Sequence, residues 1–83
     1  MPHYFIDLHD GERITPDDDG AAYDGAEAAR REAIRALTLL ASDTLPDGRN
    51  REFTVKIWNE TGEPVYEALL SFRGTWIGGP GGA

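Results

Sequence analysis

From His3 to His9 the residues Tyr4, Ile6 and Leu8 alternate with Phe5, Asp7 and His9, the two-residue period of a strand with one buried face. Asp10-Gly11 follows at once. Both residues tolerate positive φ, so the pair predicts a two-residue type I′ turn, with Glu12 to Thr15 returning as a short second strand. Pro16 removes a ladder donor and ends that strand, and Asp17-Asp18-Asp19-Gly20 reads as a solvated loop.

The period then changes. Asp24, with Glu27 three residues later, heads an Ala-rich stretch and predicts a capping-box start with carboxylates at the positive end of a helix dipole. From about Gly25 to Thr44 the residues Ala26, Ala29, Ala33, Ile34, Leu37, Leu40, Ala41 and Leu45 share one arc of a helical wheel, and Pro46 limits the helix. Arg30 falls within the arc, where it should snorkel or pair with a loop carboxylate. Small residues dominate the N-terminal half of the arc, so that end can approach a sheet closely. After the turn-rich Pro46 to Asn50, Phe53, Val55 and Ile57 alternate with Thr54, Lys56 and Trp58 as a third strand. Asn59 to Pro64 closes a second hairpin, and Val65 to Arg73 returns with Tyr66, Ala68, Leu70 and Phe72 on one face.

The order is ββαββ, which predicts an α+β domain over residues 1–73: a four-stranded antiparallel sheet with one helix packed on one face, followed by a flexible Gly-rich tail, 74–83. A single helix leaves the second face of the sheet open. That face carries His3, Phe5, Asp7, His9, Thr54, Lys56, Trp58 and Leu69. Phe5, Trp58 and Leu69, with Trp76 from the tail, are therefore the candidate interface residues, because clustered surface aromatics are the usual anchors of protein contacts.

Composition narrows the classes. The chain has 83 residues, 40% of them hydrophobic and 28% charged, enough for one thin-cored domain and outside the disordered class. It has no cysteine, so a disulfide or thiolate metal site is excluded and a reducing cytoplasm is the expected location. No apolar run approaches membrane-spanning length. The net charge of −7 disfavours direct nucleic-acid binding. Residues 1–25 carry seven acids against one base, leaving the rest nearly balanced. Asp10, Asp17, Asp18 and Asp19 are the candidate acidic surface.

His3, Asp7 and His9 share a strand face and are the weak candidates for metal ligation, but no defined spacing or fourth ligand accompanies them, and no cofactor is expected. The Asp17–Gly20 run does not fit a calcium loop, since aligning Gly20 with the loop glycine puts Ala26 where the bidentate Glu belongs. A catalytic cysteine, a defensible Ser/His/Asp set and a phosphate-binding glycine loop are all missing, so no enzyme activity is expected.

The opening Met1-Pro2-x-Tyr4-Phe5-Ile6-x-Leu8-His9-Asp10-Gly11, the acidic loop and the Ala29-Arg30-Arg31-Glu32-Ala33 helix start resemble a family of small uncharacterised alphaproteobacterial proteins, a domain of unknown function. The resemblance covers residues 1–73 and departs at Asp7, where the relatives often carry His, and in the tail. It implies the fold and a bacterial origin but no activity. The strand hairpin before an Ala/Glu-rich helix is also similar, in topology alone, to HicB-type antitoxins. The expected function is a non-catalytic binding or regulatory module acting through protein–protein contact, with a homodimer or another protein as partner and neither nucleic acid nor membrane. The alternatives are an acidic inhibitor occupying a basic groove, as an antitoxin or nucleic-acid mimic, and a small metal-dependent enzyme.

Overall fold

A computed structural model describes residues 1–79. The strands are β1 (His3–His9), β2 (Ile14–Thr15), β3 (Ala21–Ala22), β4 (Arg51–Asn59) and β5 (Pro64–Phe72). The helix α1 (Ala26–Thr44) lies between β3 and β4, followed by a 3-10 turn at Leu45–Asp47. All pairings are antiparallel and the sheet order is β2-β1-β4-β5, with β3 also pairing β1. This is the expected ββαββ arrangement with one more two-residue strand. Leu8 faces Thr15 and Tyr4 faces Ala21, so β2 and β3 lie end to end along one edge of β1.

The helix lies over the sheet's middle. Ala29 and Ala33 are fully buried, and Leu37 and Ala41 nearly so, a stripe at four-residue spacing. Against it stand Phe53, Val55 and Ile57 of β4, also buried, flanked by Tyr4, Ile6 and Leu8 of β1 and Tyr66, Ala68 and Leu70 of β5. Every inward strand residue expected from alternation is in this core or packed against it, apart from half-buried Phe72. Close approach through alanines narrows the buried stripe, which leaves Ala26 exposed and Ile34 39% exposed, outside the core where the wheel had placed them.

Two local expectations are corrected and a third, for Arg30, is narrowed. The helix cap is Gly25 in extended backbone, without a side-chain bond, so Asp24 and Glu27 form no capping box. Glu27 instead pairs with Arg30, whose guanidinium lies 5.9 Å from the Tyr66 ring centroid, so the arginine uses its own helix rather than a loop carboxylate. The first hairpin turns through Asp10–Arg13 rather than through Asp10-Gly11 alone: Asp10 N–H donates to Arg13 O at 3.1 Å, and His9 pairs with Ile14. Among the described residues no non-glycine has positive φ, so the type I′ turn, which needs it at both central positions, is absent.

In the tail, Gly74 N–H donates to Asn50 Oδ1 at 2.8 Å, and Trp76 and Ile77 are exposed. Residues 80–83 of the expected flexible segment lie outside the described residues.

Close helix–sheet approach requires the small stripe. Ala33→Leu adds volume where no space exists and should lower unfolding stability by about 1–3 kcal/mol, whereas Leu39→Ala, at a position 53% exposed, should change it by no more than ~0.5 kcal/mol; urea unfolding measures both.

Candidate functional site

The open face is organised in rows set by strand register. Ile14, His9, Thr54 and Leu69 follow one another across β2, β1, β4 and β5. Asp7, Lys56 and Glu67 form the next row, and Phe5, Trp58 and Pro64 the third. Between Ile57 and Trp58 the β4–β5 register slips by one, so Val65 is an extra, bulged residue. A concavity of about 270 Å³ opens over the first two rows, lined by Asp7, His9, Ile14, Lys56, Trp58 and Glu67 among others.

The ends of the first row are the apolar part. Ile14 is 66% exposed and Leu69 61%. Phe5 and Trp58 are only half-buried, because each is held by its surroundings. The Trp58 indole N–H donates to Asp7 Oδ2 at 2.9 Å, and the Lys56 ammonium lies 4.7 Å from the Trp58 ring centroid. Phe5 packs beside His3, ring centroids 6.0 Å apart, and under Gly20. Of the candidate interface residues, Leu69 and Trp76 are exposed, while Phe5 and Trp58 form the floor. The Trp76 side chain lies by Gly48, away from this face.

The acidic residues separate into two groups. Asp17 is half-buried: its Oδ2 accepts Ile6 N–H at 3.0 Å, its Oδ1 accepts Gly20 N–H at 2.9 Å, and its own N–H donates to Asp7 Oδ1 at 2.9 Å. This side chain supplies the acceptor for the part of β1's edge lying between β2 and β3. Asp17 is therefore a structural clasp and not part of a solvated acidic surface. Gly20, at φ +67°, has no room for a side chain: a Cβ would stand 2.7 Å from the Phe5 ring and 2.9 Å from Tyr4 O. Asp10 is also engaged, its Oδ1 accepting Arg13 N–H at 2.8 Å and Glu12 N–H at 3.0 Å. Those two bonds, Arg13's the stronger influence, hold its carboxyl below its ordinary pKa. Asp18 and Asp19 alone of the four are exposed, and neither side chain forms a hydrogen bond or ion pair among the described residues.

His3, Asp7 and His9 do not assemble a metal site. Among the described residues no three His, Asp or Glu side chains are grouped to hold an ion, and both Asp7 oxygens already accept hydrogen bonds. At the sheet's far end a second hollow, of about 370 Å³, is lined by Arg49, Arg51 and Arg73 among others. Its arginines are largely answered: Arg49 reaches Glu12 at 3.3 Å, and Arg51 reaches Asp47 at 2.7 Å. Arg51 thus ties the first hairpin, through Asp10 O at 3.4 Å, to the 3-10 turn, a link that local spacing did not disclose. Ile14 was also missed, although either hairpin register puts it on the open face.

These features define a small α+β domain with a one-sided helix layer and a patterned, uncovered sheet face. The family of domains of unknown function termed DUF6894 matches residues 3–71, and the chain belongs to it. No curated protein and no solved structure matches the chain. Among the described residues, no helix is long and apolar enough to cross a membrane.

Two outcomes test the clasp and the turn. Asp17→Ala leaves part-buried N–H groups without an acceptor and should cost about 1–3 kcal/mol, while Asp18→Ala should stay within ~0.5 kcal/mol, both read by urea unfolding with Ile6 amide exchange. For Asp10, a folded pKa below the unfolded one gives stability that is present above the ordinary aspartate range and is lost as pH falls through and below it. Asp10→Asn keeps the turn acceptor without the charge, so its unfolding midpoint should fall less than the wild type's on acidification.

Proposed function

We propose that this domain is a non-catalytic binding module that engages a protein, another species or a second copy of itself, through the open sheet face. The observation that carries the reading is the pair of rows at the concavity: Ile14 and Leu69, each more than 60% exposed, end the first row, and the charged row of Asp7, Lys56 and Glu67 lies beside it, on a face that no described element covers. Apolar ends give a partner surface to bury, and the alternating charges across three strands give it a register to match. Trp58, fixed by Asp7 and Lys56, offers a preorganised floor that loses little entropy on binding. The shallow concavity suits a protein surface better than a small substrate. The family resemblance supports a bacterial origin, and the cysteine-free composition is consistent with a reducing, cytoplasmic setting.

The acidic-inhibitor reading, with its analogy to HicB-type antitoxins, loses support because Asp10 and Asp17 are spent on the fold, leaving Asp18 and Asp19 of the original four. The metal-dependent enzyme loses Asp7 in the same way.

The test is capture from source cells by tagged wild type and by Ile14→Asp, with folding checked by circular dichroism. A partner held by the wild type in high salt and lost from the variant supports the face. Identical capture by both would sink it, and capture by both that vanishes in salt would return the acidic loop to first place.

A further inference from the structure

The two edges of the sheet are treated differently. The edge of β1 is closed over its length by β2, by β3 and, between them, by the Asp17 carboxylate on Ile6 N–H. The edge of β5 is bare: it ends the sheet order, and no described strand pairs with its outer side. Its protections are confined to a proline and a bulge at one end and the single charge of Glu67. Pro64 and the Val65 bulge lie at its first end, and Tyr66–Phe72 runs on in unbroken register with no lysine, proline or glycine. Long, regular, lightly protected edges are templates for another strand.

We propose that β5 pairs antiparallel with β5 of a second copy, about a two-fold axis through Leu69, to form one continuous sheet. The occupant is argued from self-complementarity. Leu69 is the centre of the bulge-free stretch Tyr66–Phe72. Pairing about it places Leu69 opposite Leu69 and Glu67 opposite Ser71 on the open face, with Tyr66 opposite Phe72 and Ala68 opposite Leu70 on the helix face. No like charges meet, and the exposed Leu69 side chains cover each other. Centring on Glu67 would oppose two carboxylates, and centring on Ala68 would set Glu67 against Leu69. A closed two-fold contact of this kind also satisfies both edges at once and leaves none to propagate.

This contact shares Leu69 with the open-face reading but leaves Ile14 untouched, and the experiment separates the two. Sedimentation equilibrium is run on the wild type, Ile14→Asp, Leu69→Lys, Leu69→Glu and an equimolar mixture of the two Leu69 variants. Leu69 faces Thr54 within its own sheet, so neither charge is set directly opposite a like charge until a second copy arrives. The wild type and Ile14→Asp should be dimers. Each Leu69 variant alone should associate at least about tenfold more weakly, and the mixture should recover the dimer, because only a residue on the two-fold axis meets its own kind. A monomeric wild type, Leu69 variants as dimeric as the wild type, or a mixture no tighter than its parts would overturn the pairing. Dissociation by Ile14→Asp would also overturn it, and would assign self-association to the face instead. As a second readout, Leu69→Cys gives this cysteine-free chain a single thiol opposite its own copy, and mild oxidation should yield a covalent dimer that Ser71→Cys does not.

Discussion

One helix covers one face of the sheet, and most of what is distinctive in this chain follows from that constraint. A 19-residue helix cannot span a sheet with two broad faces, so it lies where it displaces most water, over β4, the strand flanked on both sides by long strands, β1 and β5. The alanines make this possible. Ala29 and Ala33 let the helix backbone approach Phe53, Val55 and Ile57 closely enough to exclude solvent, and the tight contact does with shape what a larger core would do with volume. The cost is breadth. A narrow stripe leaves Ile34 and Leu39 half in water, and β1 and β5 depend on side chains leaning inward from the flanks.

With the helix committed to one side, the polypeptide stabilises the rest by local polar devices. The 11-residue excursion from Gly11 to Ala21 is too short for two full strands, so it contributes two short pairings and bridges the interval with Asp17. A carboxylate serves well there because it accepts two N–H groups at once, Ile6 and Gly20. Its own N–H, turned toward Asp7, couples the loop to the open face. Asp7 in turn accepts from Trp58. A chain of four groups thus runs from an edge loop to the central strand, and the tryptophan orientation rests on it.

Period and turn chemistry made the ββαββ order, the inward residues of the long strands and the existence of an open face legible from sequence. Tyr4, Ile6, Leu8, Phe53, Val55 and Ile57 alternate too cleanly for another reading. What alternation could not convey was the use of polar side chains by the backbone. Asp10 and Asp17 look like any solvated aspartate until the N–H groups they serve are located, and Arg51 meets Asp47 and Asp10 only once the hairpin and the 3-10 turn are adjacent. Trp58 was placed on the correct face but with too much freedom, since its Asp7 partner is 51 residues away. Two-residue strands such as Ala21–Ala22 carry no period at all. The family match adds the domain's extent and no chemistry.

Leu69 stands at the corner where the open face meets the bare edge, so the two unfilled surfaces of the molecule are not separate problems. Antiparallel strands in one sheet are related by an axis perpendicular to it. A β5–β5 pairing would therefore keep both helices on one side and both open faces on the other. The first row would then run from Ile14 of one copy, through the paired Leu69 side chains, to Ile14 of the second. The apolar residues that look scattered on a monomer become a symmetric stripe with a covered centre and two exposed ends. A partner engaging that stripe would meet two equivalent half-sites, and its second contact would form at the high effective concentration set by a rigid sheet. On this view a weak, shallow face is sufficient, because doubling supplies the affinity that the small area of one copy cannot.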